Sequence, residues 1–126
     1  MKRLLLLMAA VLLLGNYCVA QTTIATADIP FSFKAEGKTY PAGTYRFELN
    51  SEETAITIVG LKTKTSGIDP IMTRTLATEG KEGMIVFDVV GNDHLLSEIH
   101  TPGMDGFMLK GAPTKHTHTS VKSKMR

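Results

Sequence analysis

Cysteine and tryptophan are nearly missing from this 126-residue chain, which has one cysteine and no tryptophan. The single cysteine, Cys18, cannot form a disulfide within the chain, and no thiol follows it for nucleophilic catalysis or for a cysteine-rich metal site. No window places apolar residues at helical spacing behind a capping residue. These absences exclude a disulfide scaffold and a helical bundle, so packing and strand pairing must stabilise the fold.

The first 20 residues have the composition of an export signal. Two basic residues precede an unbroken apolar run over residues 4–14, and Cys18-Val19-Ala20 provides small residues before a cleavage site. A membrane span needs about 20 apolar residues, and this run is shorter. We therefore predict a Sec-type signal peptide cleaved after Ala20, a secreted or periplasmic product, and no membrane span after cleavage.

Residues 29–50 carry five of the eight aromatic residues in the chain. Apolar and polar residues alternate on both sides of the turn Pro41-Ala42-Gly43, which places one row of side chains on a single sheet face. That row consists of Ile29, Phe31, Phe33, Tyr45, Phe47 and Leu49. We expect this stretch to nucleate the core.

Short runs rich in β-branched and aromatic residues recur between turn residues. They predict strands at residues 22–27, 29–35, 44–50, 55–61, 71–78, 84–90, 94–100 and 107–109, a short extended piece at 38–40, and loops at 62–70 and 79–83. A two-residue turn at Asn92-Asp93 would set Asp88 opposite Ser97 and put Asp88 and Glu98 on opposite faces. We predict an all-β fold, a single antiparallel β-sandwich or small β-barrel of about seven to eight strands in meander-like order.

Charge divides the predicted mature chain into an acidic body and a basic tail. Residues 21–109 carry seven basic and twelve acidic residues, whereas residues 110–126 carry five basic residues and no acidic one. A terminal block of like charge is typical of a solvated tail, the alternative being a tail that binds an anionic surface. We predict a signal peptide at 1–20, a β-domain at 21–110 and a basic disordered tail at 111–126.

Three phrases occur in one order behind the apolar leader: Ile-Pro-Phe-Ser-Phe with Pro-Ala-Gly-Thr-Tyr, then Ile-Val-Phe, then Leu-Leu-Ser-Glu-Ile-His-Thr-Pro-Gly. With these phrases, residues 29–109 resemble a family of small secreted β-proteins common in acidobacterial genomes. The resemblance implies secretion and a compact β-domain, and it assigns no functional residue. Asp88-Val89-Val90 stands where members of that family often carry an aromatic and basic cluster.

No residue pattern favours catalysis. The chain has no Gly-x-Ser-x-Gly turn, and two of its four histidines fall in the predicted tail. Asp88 and Glu98 could form a carboxylate pair, but the predicted register separates them. We therefore predict a protein that is not an enzyme, with no catalytic and no cofactor-binding residue.

Two residue pairs have the spacing of metal ligands. Glu98 and His100 lie on one face of a predicted strand with Cα atoms about 6.6–6.8 Å apart, whereas His94 is about 13 Å from Glu98. His116 and His118 can chelate a divalent ion weakly from the tail. An exposed strand face and a solvated tail are the preferred interpretations of these pairs, so we assign no metal site and no cofactor.

We expect an exported, non-catalytic protein that binds an unknown protein partner or an envelope surface. A sheet edge, the loop at residues 62–70 or the basic tail could provide the contact. The alternative is a carrier of a small apolar ligand, for which methionine side chains would suit the lining. Nucleic acid is not an expected partner, because the body is acidic and has no basic-aromatic face. No oligomeric state is assigned.

Overall fold

The computed structural model describes residues 21–76 and 82–124, and within these ranges the chain forms strands and no helix. The strands are β1 (Thr22–Ile29), β2 (Phe33–Ala35), β3 (Lys38–Tyr40), β4 (Gly43–Leu49), β5 (Ala55–Gly60), β6 (Ser66–Pro70), β7 (Thr73–Thr75), β8 (Met84–Val90), β9 (Asp93–His100), β10 (Gly106–Met108) and β11 (Thr117–Lys122). The predicted signal peptide and most of the predicted loop at 79–83 lie outside the described residues. No described helix could cross a membrane.

The strands form two sheets, which confirms the all-β sandwich and not the closed barrel. The four-stranded sheet has the order β1-β4-β5-β6, and the seven-stranded sheet has the order β11-β8-β9-β10-β7, with β2 joining β9 and β3 joining β2. Five of the nine described pairings join strands that are consecutive in the chain, so the order is meander-like only in part. The pairings β1–β4, β7–β10, β8–β11 and β2–β9 join strands that are not consecutive, and among the described pairings only β2 with β9 is parallel. The chain has more strands than predicted, because short edge strands complete both sheets.

Aromatic rings from both sheets meet at the centre of the sandwich. Phe33 stacks on Tyr40 at 5.0 Å between ring centroids, and it meets Tyr45 and Phe87 edge-on at 5.1 Å and 5.3 Å. All four side chains are buried, and burying a side chain of this size contributes about 1.5–3 kcal/mol. The stretch predicted to nucleate the core therefore supplies three of the four rings. The strand predicted at residues 29–35 is interrupted, because β1 ends at Ile29 before Pro30 and β2 begins only at Phe33.

The loop predicted at residues 62–70 is wrong over its second half, where β6 forms an edge of the four-stranded sheet. Gly67 and Asp69 pair with Ile58 and Ile56, so a glycine and a carboxylate occupy the inward positions of β6. Gly67 is needed there because the Tyr40 hydroxyl fills the space of its Cβ. Because β6 has no inward apolar side chains, its sequence lacks the apolar–polar alternation from which strands are predicted.

The disorder predicted for residues 111–126 is wrong over β11, which pairs with β8 across six residue pairs. Lys124, just beyond β11, also exchanges two backbone hydrogen bonds with Thr26 of β1, at 2.8 Å and 2.9 Å. The basic and polar composition of this segment indicated a solvated tail, but backbone pairing at a sheet edge needs few apolar side chains. Met125 and Arg126 lie outside the described residues.

The register predicted for the β8–β9 hairpin is also wrong. Val90 pairs with Asp93, so the two-residue turn is Gly91-Asn92, and Gly91 adopts a φ of 60°. Turns of this length favour glycine because they need left-handed backbone. This turn sets Asp88 opposite Leu95, and a bulge at Ser97 farther along the hairpin sets Val86 opposite Glu98. Asp88 and Glu98 consequently share one face of the sheet, and the predicted separation onto opposite faces does not occur.

Candidate metal centre on the outer face of the seven-stranded sheet

Asp88 is a buried carboxylate on the face of β8 that points away from the core. Its neighbour Phe87 faces the core, and Asp88 is nevertheless only 3% exposed because the chain after β10 crosses over it. The backbone N–H of Ala112 donates a 2.9 Å hydrogen bond to Asp88 Oδ2. Gly111 adopts a φ of 59°, and a Cβ there would overlap Asp88 Oδ2. The crossing segment therefore fixes one carboxylate oxygen and leaves the other for a different partner.

Two histidines face that other oxygen. His118 lies directly opposite Asp88 in the β8–β11 pairing, and its Nδ1 is 2.9 Å from Asp88 Oδ1. His116 precedes β11, and its Nε2 is 3.3 Å from the same oxygen. One ligand atom from each of the three residues lies within 4.8 Å of the other two. The turn that carries His116 and the strand pairing of β11 thus bring three potential ligands together.

These short distances are not accompanied by hydrogen-bond geometry. Asp88 Oδ1 is buried and has no hydrogen-bond partner among the described residues, so neither imidazole N–H is aligned with it. His116 Nδ1 is 2.7 Å from the Thr114 carbonyl oxygen. Because a carbonyl oxygen only accepts, Nδ1 carries the proton, and in the neutral ring Nε2 then presents a lone pair toward Asp88. Two lone pairs facing each other repel, and either a second proton on the imidazole or a metal ion between the two atoms removes this repulsion.

The two separations from Asp88 Oδ1 are close to those around a tetrahedral divalent ion. Zinc bonds of about 2.0–2.2 Å to nitrogen and oxygen place neighbouring ligand atoms about 3.3–3.5 Å apart. The His116 separation from Asp88 agrees with this spacing, and the His118 separation needs to open by a few tenths of an ångström. Ligating histidines usually donate their second N–H to a carbonyl, as His116 does to Thr114. A three-ligand set leaves a fourth position for water or another ligand.

The other pair with metal-ligand spacing lacks a third ligand. Glu98 Oε1 and His100 Nε2 lie 3.5 Å apart, so the structure brings this predicted pair together. Over residues 21–76 and 82–124, however, the cluster at Asp88 is the one group of three potential ligands. His94 is engaged elsewhere, because its ring stacks on Phe31 at 3.9 Å. Sequence spacing identified the two tail histidines, and it missed Asp88 because the predicted register and disorder kept them apart.

The surfaces predicted to bind a partner are exposed but carry no defined ligand geometry. Ile68 on the β6 edge is 64% exposed, and Leu61, Met72 and Leu76 are also exposed nearby in the chain. Clefts of about 450, 580 and 210 Å³ open on the surface. Each of the three clefts is lined in part by charged side chains, unlike the apolar interior that a carrier of a small apolar ligand needs.

Comparisons with protein-family models, with curated proteins and with solved structures find no match for this chain. The resemblance to small secreted acidobacterial β-proteins therefore stays a prediction. Function has to be inferred from the residues themselves, and the best-defined group of them is Asp88, His116 and His118.

Proposed function

We propose that this protein is an exported, non-catalytic binding protein whose ligand is a divalent transition-metal ion held by Asp88, His116 and His118. One observation carries the proposal: a buried carboxylate oxygen without a hydrogen-bond partner lies within 3.3 Å of two imidazole nitrogens. Two imidazoles and a carboxylate suit Zn²⁺, Cu²⁺ or Ni²⁺. Ca²⁺ takes six to eight oxygen ligands and Mg²⁺ prefers an octahedral oxygen set, so both ions fit poorly.

The competing interpretation is a set of simple ion pairs, in which protonated histidines neutralise Asp88. Such pairs would align an N–H with Oδ1, because a buried carboxylate gains most from a straight hydrogen bond. Neither nitrogen forms a hydrogen bond with Oδ1, although the separations are 3.3 Å and 2.9 Å. Metal binding requires neutral histidines, whereas ion pairing requires charged ones. The Thr114 contact places a proton on Nδ1 of His116 and leaves Nε2 as the atom that faces Asp88 in either case.

Calorimetric titration of the tag-free protein, stripped with EDTA and then dialysed, tests the proposal. We expect one Zn²⁺ or Cu²⁺ to bind per chain and Mg²⁺ and Ca²⁺ to give no heat at the same concentrations. Substituting Asp88→Asn or His118→Asn should each weaken Zn²⁺ binding by at least about 100-fold, because losing a residue that bonds the ion costs more than losing one of its outer hydrogen-bond partners, which costs about 10–100-fold.

His100→Asn is the matched control, since it removes a half-buried histidine from the neighbouring Glu98 pair. This variant should bind Zn²⁺ as the parent protein does. Binding that survives both Asp88→Asn and His118→Asn, or that disappears in His100→Asn alone, would assign the ion to another site and refute the proposal.

Nitrogen-15 spectra of the histidine rings provide a second readout that does not depend on affinity. We expect Zn²⁺ to shift Nε2 of His116 and Nδ1 of His118, the two atoms that face Asp88. The Nδ1–H of His116 should remain bonded to Thr114 in both states. A metal-induced shift at Nδ1 of His116 would contradict the ligand assignment.

Binding of a protein partner or surface stays a prediction for the β6 edge, where Ile68 is exposed. The alternative of an apolar-ligand carrier finds no support in the packing, because Phe33 meets rings from both sheets edge-on at 5.1 Å and 5.3 Å between centroids. A transition-metal ligand explains a feature that neither of these functions uses, the buried and unsatisfied oxygen of Asp88.

A further inference from the structure

A second unsatisfied carboxylate lies on the other sheet. Asp69 is on the inward face of the edge strand β6, it is 1% exposed, and its Oδ1 has no hydrogen-bond partner among the described residues. Buried carboxylates are normally paired or hydrogen-bonded, because an unpaired buried charge is costly. Asp69 lies in the four-stranded sheet and Asp88 in the seven-stranded sheet. The proposed metal ion at Asp88 therefore does not satisfy Asp69.

Asp69 lines an open cleft of about 450 Å³, a size within the range of small-molecule sites. The cleft lies between the β6 edge of the four-stranded sheet and the segment Lys110–Pro113 beside the seven-stranded sheet. The β2–β3 turn at Glu36-Gly37 forms a further wall. Apolar surface comes from Ala35, Leu95, Leu96 and Pro113. The cleft thus combines one buried acid with an apolar lining.

The cleft lining carries two carboxylates and two lysines, but neither lysine satisfies Asp69 Oδ1. Glu36 adds a second carboxylate to the lining, and Lys34 is already paired with Asp93 at 3.4 Å. Lys110, the other basic residue of the lining, is exposed. A metal ion fits poorly, because one buried carboxylate in apolar surroundings cannot supply the six or more oxygens that hard cations need.

We propose that this cleft binds a small organic ammonium ion, with the ammonium group donating hydrogen bonds to Asp69 Oδ1 and the apolar body lying against Leu95 and Leu96. The ammonium group supplies both the charge and the donor that the buried oxygen lacks. The apolar body gains by leaving water for the apolar lining. This site is separate from the proposed metal centre, and its test can be run with metal removed.

Chemical-shift titration with n-butylamine and with butyrate, in the presence of EDTA, tests the proposal. Butylammonium should shift the amide signals of β6, Leu95 and Leu96, and butyrate, which has the same apolar body and the opposite charge, should not. Asp69→Asn should weaken butylammonium binding by at least about tenfold, the effect of losing a charge-assisted hydrogen bond. Equal binding of the two probes, or unchanged binding in Asp69→Asn, would overturn the proposal.

The pH dependence of butylammonium binding can be measured on the unmodified protein, so it tests the proposal even where Asp69→Asn folds poorly. Burial, and to a lesser extent the nearby Glu36, raise the pKa of Asp69 to about 6 against the opposing effect of Lys110. An ammonium ion needs the ionised carboxylate, so butylammonium affinity should fall about tenfold between pH 7 and pH 5. Tyr40 also faces Asp69, but its pKa is raised by burial, so it stays neutral over this range. Glu36→Gln should retain the pH dependence; loss of it in that variant would reject Asp69 as the binding group.

Discussion

At the residue scale, Gly111 determines whether the outer face of β8 can hold its carboxylate. Two independent constraints meet at this position: a left-handed φ of 59° and a close approach to Asp88 Oδ2. A side chain here would be strained by the backbone and would also push the crossing segment away from Asp88. Sequence analysis gave no sign of this, because a lone glycine in a polar tail is unremarkable.

Gly111→Ala should lower the free energy of unfolding by about 1–2 kcal/mol and weaken Zn²⁺ binding at least about tenfold. Gly91→Ala is the matched control, because Gly91 has a similar φ of 60° but open space around its Cβ. In denaturant unfolding, Gly91→Ala should lose stability through the same backbone strain. Its Zn²⁺ affinity should not change. Equal loss of Zn²⁺ affinity in both variants would mean that strain alone, and not the contact with Asp88, is responsible.

At the element scale, alternation in the sequence predicted the strands that face the core and missed those that do not. β4 and β8 were predicted almost to the residue, since their inward positions carry Tyr45, Phe47, Ile85 and Phe87. β6 and β11 were predicted as loop and tail. Their pairing depends on backbone hydrogen bonds, which leave no apolar pattern in the sequence. For the candidate site, spacing revealed His116 and His118. Asp88 could not be added to them without knowing that β11 exists and which residue of β8 it faces.

β11 should be the least protected strand of the seven-stranded sheet and should gain protection from metal. Its side chains alternate between exposed and half-buried, so few apolar contacts oppose local opening. An ion that bridges Asp88 and His118 binds only the paired strand, and at 100 times its dissociation constant it stabilises pairing by about 2.7 kcal/mol.

Hydrogen exchange followed by mass spectrometry measures this effect. Zn²⁺ should slow exchange in β11 by up to about 100-fold at that concentration. The amides of β4 and β5, which are distant in the sheet order, should not change. His118→Asn should abolish the protection, and protection that persists in this variant would show that the ion does not act through β11.

At the scale of the whole molecule, Asp69 makes stability depend on pH. Burial and Glu36 raise its pKa to about 6, above the usual value of 3.8. Between these two values the folded protein keeps a proton that the unfolded chain has lost. The free energy of unfolding should therefore rise as the pH falls from about 6 to about 4, by on the order of 2 kcal/mol from this group.

Asp69→Asn removes this titration without changing the shape of the side chain. The difference in unfolding free energy between the parent and the variant, measured in urea at several pH values, should shift in favour of the parent as the pH falls through about 6. A difference that stays constant between pH 7 and pH 4 would show that Asp69 titrates normally in the folded protein.

The segment Lys110–Pro113 is shared by the two proposed sites. Gly111 and Ala112 touch Asp88, and Gly111 also lines the Asp69 cleft. An ion that holds this segment in place would preorganise one wall of the cleft, so the two ligands would be heterotropic effectors of each other. By thermodynamic reciprocity, the factor by which the metal raises affinity for the amine equals the factor by which the amine raises affinity for the metal.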